Sequence, residues 1–275
     1  MANRHGDFVW YELITPDPDA AQAFYAPLLG WTVRDAGMPG MDYRLAATAE
    51  SDVAGLMRTP PGAPIPPAWL GYVGVDDVDA MVAAFRADGG TVHMPPDEIP
   101  GVGRFAFVAD PQGASLYVMK PTPPAGRPDA ESLSFSYDRP RPGHCAWNEL
   151  ATRDPEAALQ FYGRHFGWVH GGEMDMGALG AYRFLRHAGR APEGSPPMQG
   201  ILGAVMRCPP EMPRPAWTFY FRVPDIDAAV AHVGAHGGTV TVPPMEIPGG
   251  EFSMNAVDPQ GAPFGLVGAR RARSA

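Results

Sequence analysis

The sequence predicts an α+β fold built from four βαβββ modules. Residues 6–31, which contain WYEL and FYAPLLGW, return 137 residues later as residues 143–168, which contain WNEL and FYGRHFGW. A second block, residues 67–80, returns as residues 215–228. A repeat of this length indicates one folded unit that has been duplicated.

The first of these blocks predicts a strand followed by a helix. Phe8–Thr15 predicts a strand, with alternate residues on opposite faces: Phe8, Trp10, Glu12 and Ile14 on one, and Val9, Tyr11 and Leu13 on the other. Asp17 is a suitable N-cap for the helix that follows, and Gly30 is a suitable residue just beyond its end. Between them the apolar positions recur at helical spacing, which predicts that one face of this helix packs on a sheet.

The same strand and helix pattern begins four times. Asp17, Asp77, Asp154 and Asp225 each precede a helical pattern, and a glycine stands 13 residues after each of them. Short strand candidates separated by turn residues follow each helix. In the first two modules they are Trp31–Arg34, Tyr43–Thr48, Val53–Arg58, Thr91–His93, Phe105–Ala109 and Ser115–Lys120. One βαβββ module leaves an apolar sheet face uncovered, so we expect the modules to pair.

Composition excludes several classes of protein. A length of 275 residues gives room for two domains, and 45% hydrophobic residues are enough for a core in each. The net charge of −9 argues against nucleic-acid binding, which needs a basic face. No apolar run is long enough to cross a membrane, and we expect a cytoplasmic protein. The two cysteines lie far apart, which does not favour a disulfide framework.

Two motifs carry a resemblance to a known family. FYAPLLGW and FYGRHFGW, together with DPQGA at residues 110–114 and 258–262, resemble signatures of the vicinal oxygen chelate superfamily. Glyoxalase I, bleomycin-resistance proteins and extradiol dioxygenases belong to it. The tandem form is similar to actinobacterial two-domain glyoxalase-like proteins. The resemblance implies two glyoxalase-like domains, residues 6–121 and 143–268, joined by a linker at residues 122–142. Each would fold as curved mixed sheets around a cup.

The resemblance also implies where a divalent metal would be held. The superfamily takes its ligands from the first strand of each module and from the last strand of each domain. These positions are Trp10, Leu70, Tyr117, Trp147, Thr218 and Gly265. None is a His, Glu or Cys, and the sequence therefore predicts no metal cofactor. A displaced site involving Glu12 and Glu149 is the alternative.

In place of a metal site, the alternation of side chains along the strands predicts a cup lined by aromatic residues and one carboxylate. The candidate ligand-binding residues are Trp10, Tyr72, Tyr117, Trp147, Thr218, Tyr220 and Arg222. The candidate general acid or base is Glu149 or Glu12, although each could be a structural carboxylate. Arg222 could bind an anionic ligand or form an ordinary ion pair. Such a cup is typical of a site for a small molecule.

The sequence leaves several functions open. The first is a metal-independent lyase, isomerase or cyclase that acts on an oxygenated or aromatic metabolite. The second is a protein that sequesters a drug or natural product, as bleomycin-resistance proteins do. The third is a metal-dependent glyoxalase-type enzyme with relocated ligands. The expected partner is a small molecule, and the chain would be a monomer or a homodimer. The second half has an extra loop at residues 187–198, which is either a lid or a decoration. We expect the linker at residues 122–142 to run over the surface.

Overall fold

An eight-stranded mixed sheet forms in each half of the chain. The computed structural model describes residues 3–62, 65–137, 139–191, 194–196, 198–209, 212 and 214–271. The predicted α+β fold is confirmed. None of the helices within these ranges combines the length and apolarity that a membrane crossing requires.

The elements of the four modules follow the predicted order. The first module contains β1 (Phe8–Thr15), α1 (Pro18–Leu29), β2 (Thr32–Asp35), β3 (Tyr43–Ala47) and β4 (Asp52–Arg58). The second contains β5 (Ala68–Gly74), α2 (Val78–Ala87), β6 (Thr91–Ile99), β7 (Gly103–Ala109) and β8 (Ser115–Pro121). The third contains β9 (Cys145–Thr152), α3 (Pro155–Phe166), β10 (Trp168–Asp175), β11 (Ala181–His187) and β12 (Ile201–Arg207). The fourth contains β13 (Ala216–Val223), α4 (Ile226–Ala235), β14 (Thr239–Ile247), β15 (Glu251–Val257) and β16 (Pro263–Gly268).

The strand order is the same in both sheets. It is β2-β3-β4-β1-β5-β8-β7-β6 in the first and β10-β11-β12-β9-β13-β16-β15-β14 in the second. Within a module, the first strand pairs in parallel with the last, as β1 does with β4 and β13 does with β16. β6 continues well past the predicted Thr91–His93, through Pro95 and Pro96. It lies at the edge of its sheet, where a residue without a backbone N–H is tolerated.

All four α-helices among the described residues begin at the predicted aspartate, but only two of them end at the predicted glycine. The side chain of Asp17 accepts a hydrogen bond from a backbone N–H of the first turn, and Asp77, Asp154 and Asp225 do the same. α1 and α3 end at a glycine with left-handed φ of 68°. α2 ends earlier, at Ala87, and the next left-handed residue is Gly89, with φ of 86°. The predicted Gly90 is therefore one residue too late.

Contacts divide the chain into two compact units. The first unit comprises residues 1–9, 71–132 and 147–217, and the second comprises residues 10–70, 133–146 and 218–275. The first unit therefore contains most of modules two and three, and the second most of modules one and four. The predicted domain boundaries remain a prediction from the sequence.

The FY and DPQG motifs meet inside each unit. In the second unit the hydroxyl of Tyr25 donates to Oδ2 of Asp258 at 3.1 Å, and Trp69 Nε1 donates to the same hydroxyl at 3.0 Å. The other oxygen of Asp258 accepts from the backbone N–H groups of Gln260 and Ala262 and so shapes the turn. Burial raises the pKa of the Asp258 carboxyl. One buried carboxyl therefore ties a helix to a turn that is distant in sequence.

The first unit repeats this arrangement. The hydroxyl of Tyr162 donates to Oδ2 of Asp110 at 3.1 Å, while Oδ1 accepts from the N–H groups of Gln112 and Ala114. Trp217 packs edge-on against Tyr162, with ring centroids 5.5 Å apart. Burial raises the pKa of the Asp110 carboxyl and raises that of the Tyr162 hydroxyl well above its ordinary value. The duplicated motifs are thus explained by one structural interaction made twice.

We expect Tyr162→Phe to lower the free energy of unfolding by roughly 1–2 kcal/mol at pH 7, because the buried carboxylate of Asp110 loses a donor. The tyrosine supports the ionised carboxylate, and burial raises the pKa of that carboxyl above its usual 3.8. The folded state therefore holds the proton more tightly than the unfolded chain, and the loss should shrink as pH falls through this raised pKa. Urea denaturation of the wild-type and variant proteins at pH 7 and pH 4 measures this loss of unfolding free energy. An equal loss at both pH values would contradict a hydrogen bond from Tyr162 to the ionised Asp110.

A buried ion pair joins the N-terminal segment to the extra loop in the first unit. Arg190 contacts both carboxylate oxygens of Asp7 at 2.7 Å and also pairs with Glu131. Asp7 is only 1% exposed. The extra loop is therefore anchored through Arg190. Residues 192, 193 and 197 of the loop lie outside the described residues.

The linker differs from the expectation that it runs over the surface. Residues 122–129 are exposed, but Ser134 and Phe135 are buried, and Phe135 forms a β-bridge with Cys145. An apolar ring in the linker sequence was the signal for this burial.

We expect Arg190→Gln to cost about 3 kcal/mol of unfolding free energy, since it leaves the carboxylate of Asp7 buried without its cation. The matched control is Arg164→Gln, which removes an exposed pair with Asp88 and should cost less than about 1 kcal/mol. Thermal or urea denaturation of both variants makes the comparison. Equal costs would mean that the Asp7 pair is no stronger than a surface pair.

Candidate functional site

A chain of hydrogen bonds links three side chains on one face of the second sheet. Trp147 Nε1 donates to the hydroxyl of Tyr182 at 2.7 Å, and that hydroxyl donates to Oε2 of Glu149 at 2.6 Å. All three belong to the first unit. Trp147 and Glu149 are half-buried, whereas Tyr182 is 8% exposed. The arrangement holds a carboxylate and a phenol in contact, as proton transfer requires.

Strand register explains why these side chains meet. Glu149 on β9 pairs with Ala204 on β12, which pairs with Phe184 on β11. Registered residues on neighbouring strands face the same side, so Glu149 and Phe184 share a face. Tyr182 is two residues from Phe184 on β11, and Met206 is two residues from Ala204 on β12, so both lie on that same face. We call this set, with Trp147 and Met174, the second-half face.

The second-half face is apolar around its one carboxylate. Tyr182, Met206, Ala204 and Ala151 form a buried cluster. Partly buried hydrophobic residues pack against the cluster: Trp147, Met174, Met176, Leu179, Phe184, Cys208 and Met212. An apolar surface with few polar groups is typical of a site for a small molecule.

The first sheet carries the same pattern in a more closed form. Trp10 Nε1 donates to the hydroxyl of Tyr43 at 3.0 Å, as Trp147 does to Tyr182. Glu12 pairs in register with Gly55, and the Tyr43 hydroxyl lies 2.1 Å from where a Cβ on Gly55 would be. The missing side chain therefore lets the tyrosine approach the sheet closely. Glu12 is only 4% exposed, in contrast to Glu149.

Tyr72 and Tyr117 form a stacked pair in the first unit. Their ring centroids are 4.2 Å apart and their planes differ by 10°, because the two residues are register partners on parallel strands. The ring of Phe107 packs against Tyr117 in a tilted orientation, with ring centroids 4.7 Å apart. Both tyrosines are buried.

Tyr220 and Arg222 each contact a different partner within the second unit. The ring of Tyr220 lies against its register partner Gly265, at 2.2 Å from where a Cβ would stand, and its hydroxyl accepts from Asn255 Nδ2 at 2.9 Å. Arg222 forms an ion pair with Glu251, which agrees with the alternative of an ordinary salt bridge. Thr218 is half-buried on β13.

The side chains at the six implied ligand positions do not fit the superfamily's divalent metal. Trp10 and Trp147 use their indole N–H groups as donors to tyrosine, Tyr117 is stacked on Tyr72, and the ring of Tyr220 fills the space above Gly265. Indole and aliphatic side chains have no lone pair for a metal, and the neutral hydroxyls of Tyr117 and Thr218 are poor ligands. Within the described ranges, no group of three or more His, Cys, Asp or Glu residues could hold a metal ion.

Sequence reasoning missed the two tyrosines that contact the tryptophans. Tyr43 and Tyr182 each stand at the start of the third strand of a module, on β3 and β11. Aligning the repeats beyond their most similar segments would have paired them. The methionines of the second-half face gave no signal, because Met is common in ordinary cores.

Comparison with known proteins agrees with this fold. A sequence model of the Glyoxalase/Bleomycin resistance protein/Dioxygenase superfamily matches residues 7–117 and 141–266. The Mn(II)-bound glyoxalase from Novosphingobium aromaticivorans superposes with a TM-score of 0.63 at 18% identity, over 98% of this chain and 83% of that one. The 2,3-dioxygenase LapB from Pseudomonas sp. KL28 superposes with a TM-score of 0.60 at 12% identity, over 97% and 94%. At such identities the likeness concerns the fold alone.

Two curated relatives are similar over almost their whole length. Putative glyoxylase CFP32 of Mycobacterium bovis is 37% identical, covering 96% of this chain and 95% of the relative. The anthracycline biosynthesis protein DnrV of Streptomyces peucetius is 32% identical, covering 94% and 91%. With the fold and the matched residues, these similarities establish that the chain belongs to the glyoxalase/bleomycin resistance protein/dioxygenase superfamily.

Proposed function

We propose that this protein is an enzyme that moves a proton on a small oxygenated or aromatic metabolite, in a lyase, isomerase or cyclase reaction without a metal. The observation that carries the proposal is the hydrogen-bonded chain of Trp147, Tyr182 and Glu149 beside a half-buried apolar surface. A carboxylate and a phenol held 2.6 Å apart can accept a proton at one atom of a substrate and return it at another.

The roles follow from the donors and acceptors. Glu149 accepts a proton from an acidic C–H or O–H of the substrate, and the electron pair left behind is delocalised into a neighbouring carbonyl or aromatic ring. Tyr182 is the donor that returns a proton. The indole N–H of Trp147 stabilises the charge that develops on the phenol oxygen while its proton is transferred. The proton on Glu149 then passes to the phenolate of Tyr182 along their hydrogen bond, so both residues return to their starting states and no redox partner is needed.

Glu149 is favoured over Glu12 because of its exposure. A general base has to reach its substrate, and Glu12 is 4% exposed while Glu149 is half-buried. In this proposal Glu12 is a structural carboxylate. Trp10, Tyr72, Tyr117, Thr218, Tyr220 and Arg222 remain ligand-binding candidates from the sequence alone.

The relatives support a role in small-molecule metabolism. One is named a putative glyoxylase and another an anthracycline biosynthesis protein. Both names refer to the metabolism of oxygen-rich small molecules. A carboxylate on an apolar surface suits a substrate of that kind. The fold itself does not choose among these reactions.

We expect protein purified without chelator to contain no stoichiometric divalent metal, because the six implied positions offer no suitable ligand. Elemental analysis by mass spectrometry measures the content. In addition, neither EDTA nor added Zn²⁺, Mn²⁺ or Fe²⁺ should shift the thermal midpoint, since a ligand of the folded state would raise it. One equivalent of metal that is lost in Glu149→Gln or Glu12→Gln would establish a displaced site instead.

We expect Glu149→Gln to lower kcat by roughly 10²–10⁴-fold with little change in ligand affinity, the usual effect of removing a general base. Turnover is followed by mass spectrometry on substrates found in a thermal-shift screen of oxygenated and aromatic metabolites. The matched variant is Glu12→Gln, which should reduce stability more and turnover less, because its carboxyl is more deeply buried.

Two results would overturn this function. Undiminished turnover in Glu149→Gln would make the carboxylate structural. A tight ligand that the wild-type protein never converts would favour the sequestering alternative.

A further inference from the structure

We propose that the second-half face binds a planar, fused-ring aromatic compound bearing an acidic hydroxyl or keto group, in contrast to a small aliphatic or single-ring compound. This inference rests on the proposed function, because it places the acidic oxygen beside Glu149 and Tyr182. Its support is the geometry of three aromatic rings and the methionines around them.

Trp147 and Tyr182 form a flat, extended aromatic surface. Their ring planes differ by only 6°, with centroids 6.4 Å apart. The indole N–H and the phenol oxygen both lie in their ring planes, and they are joined by a bond of 2.7 Å. The rings therefore lie side by side, not face to face. The combined edge-joined surface is wider than one aromatic ring and matches a fused-ring ligand that approaches over the half-buried Trp147, since Tyr182 is only 8% exposed.

Phe184 bounds this flat surface. Its ring stands at 83° to both Trp147 and Tyr182, with both centroid distances 6.0 Å. Gly172, which lies beside it on β10, would place a Cβ 3.6 Å from the Phe184 ring. The ring therefore forms a corner that can contact the edge of a planar ligand, while the surface contacts its face.

Methionines complete the apolar boundary. Met174, Met176, Met206 and Met212 all belong to or pack on the buried cluster that contains Tyr182. Unbranched thioether side chains adapt to the outline of a ligand and make favourable contacts with aromatic rings. A small aliphatic substrate would leave most of this surface uncovered, whereas a fused-ring compound would cover it.

The first half lacks the same corner. Leu45 pairs with Gly55, the register partner of Glu12, and so occupies the position that Phe184 occupies relative to Glu149. Leu45 has no ring, and the Glu12 carboxylate is buried. The fused-ring site is thus assigned to the second half.

The test compares three probes by isothermal titration calorimetry on the full chain. They are 1,2-dihydroxyanthraquinone, which is flat and fused, 2,2′-dihydroxybiphenyl, which is twisted, and catechol, which has one ring. We expect the anthraquinone to bind at least about ten-fold more tightly than either of the others, because only it covers the flat surface. Equal affinity for the three probes would overturn the inference.

Matched variants locate the site. Phe184→Leu gives the second half the leucine that the first half has at Leu45. It should lower the affinity for the anthraquinone roughly three- to ten-fold, since one aromatic contact is lost. Leu45→Phe makes the reverse change in the first half and should leave the affinity unchanged. Thermal midpoints confirm that both variants fold. A loss in Leu45→Phe alone would move the site to the first half and overturn the assignment.

The two proposals fail in different ways. Tight, Phe184-dependent binding of the anthraquinone together with Glu149-independent turnover would retain the ligand class and overturn the acid–base function. Glu149-dependent turnover of a small aliphatic compound, without anthraquinone binding, would do the opposite.

Discussion

The buried hydrogen bond between a helix tyrosine and a turn aspartate is the interaction on which the rest of this structure depends. Tyr25 with Asp258 and Tyr162 with Asp110 connect segments far apart in sequence, and each aspartate also shapes the turn before the last strand. A buried carboxyl is tolerable only when its oxygens are hydrogen-bonded, so helix, turn and strand have to form together. In the first unit, Tyr162 lies on α3, which directly follows β9, the strand that carries Trp147 and Glu149.

Duplication gave two faces with the same register but different chemistry. Both carry a tryptophan that donates to a tyrosine. The differences are local: Gly55 and Leu45 accompany Glu12, whereas Ala204 and Phe184 accompany Glu149. A shared backbone thus supports a closed face in one half and a more accessible one in the other, without any change in strand order.

Much of the fold could be predicted because it depends on local patterns. The two-faced strand pattern of Phe8–Thr15 and the capping aspartates are signals that short segments carry by themselves. The partners of Glu149 could not be predicted in this way, because Tyr182 lies on another strand and the contact depends on register. β6 extends beyond the predicted Thr91–His93 through two prolines, and its edge position, with irregular pairing to β7, makes them compatible with a strand.

The contact between Arg190 and Asp7 makes the extra loop and the N-terminal segment dependent on each other. A deletion that removed the loop would leave the buried carboxylate of Asp7 without Arg190, and a change at Asp7 would remove one of the two carboxylates with which Arg190 pairs. Neither residue can be lost alone at low cost, so the two are expected to be gained and lost together as the family diverges. The loop that distinguishes the second half from the first is therefore part of what holds the N-terminal segment in place.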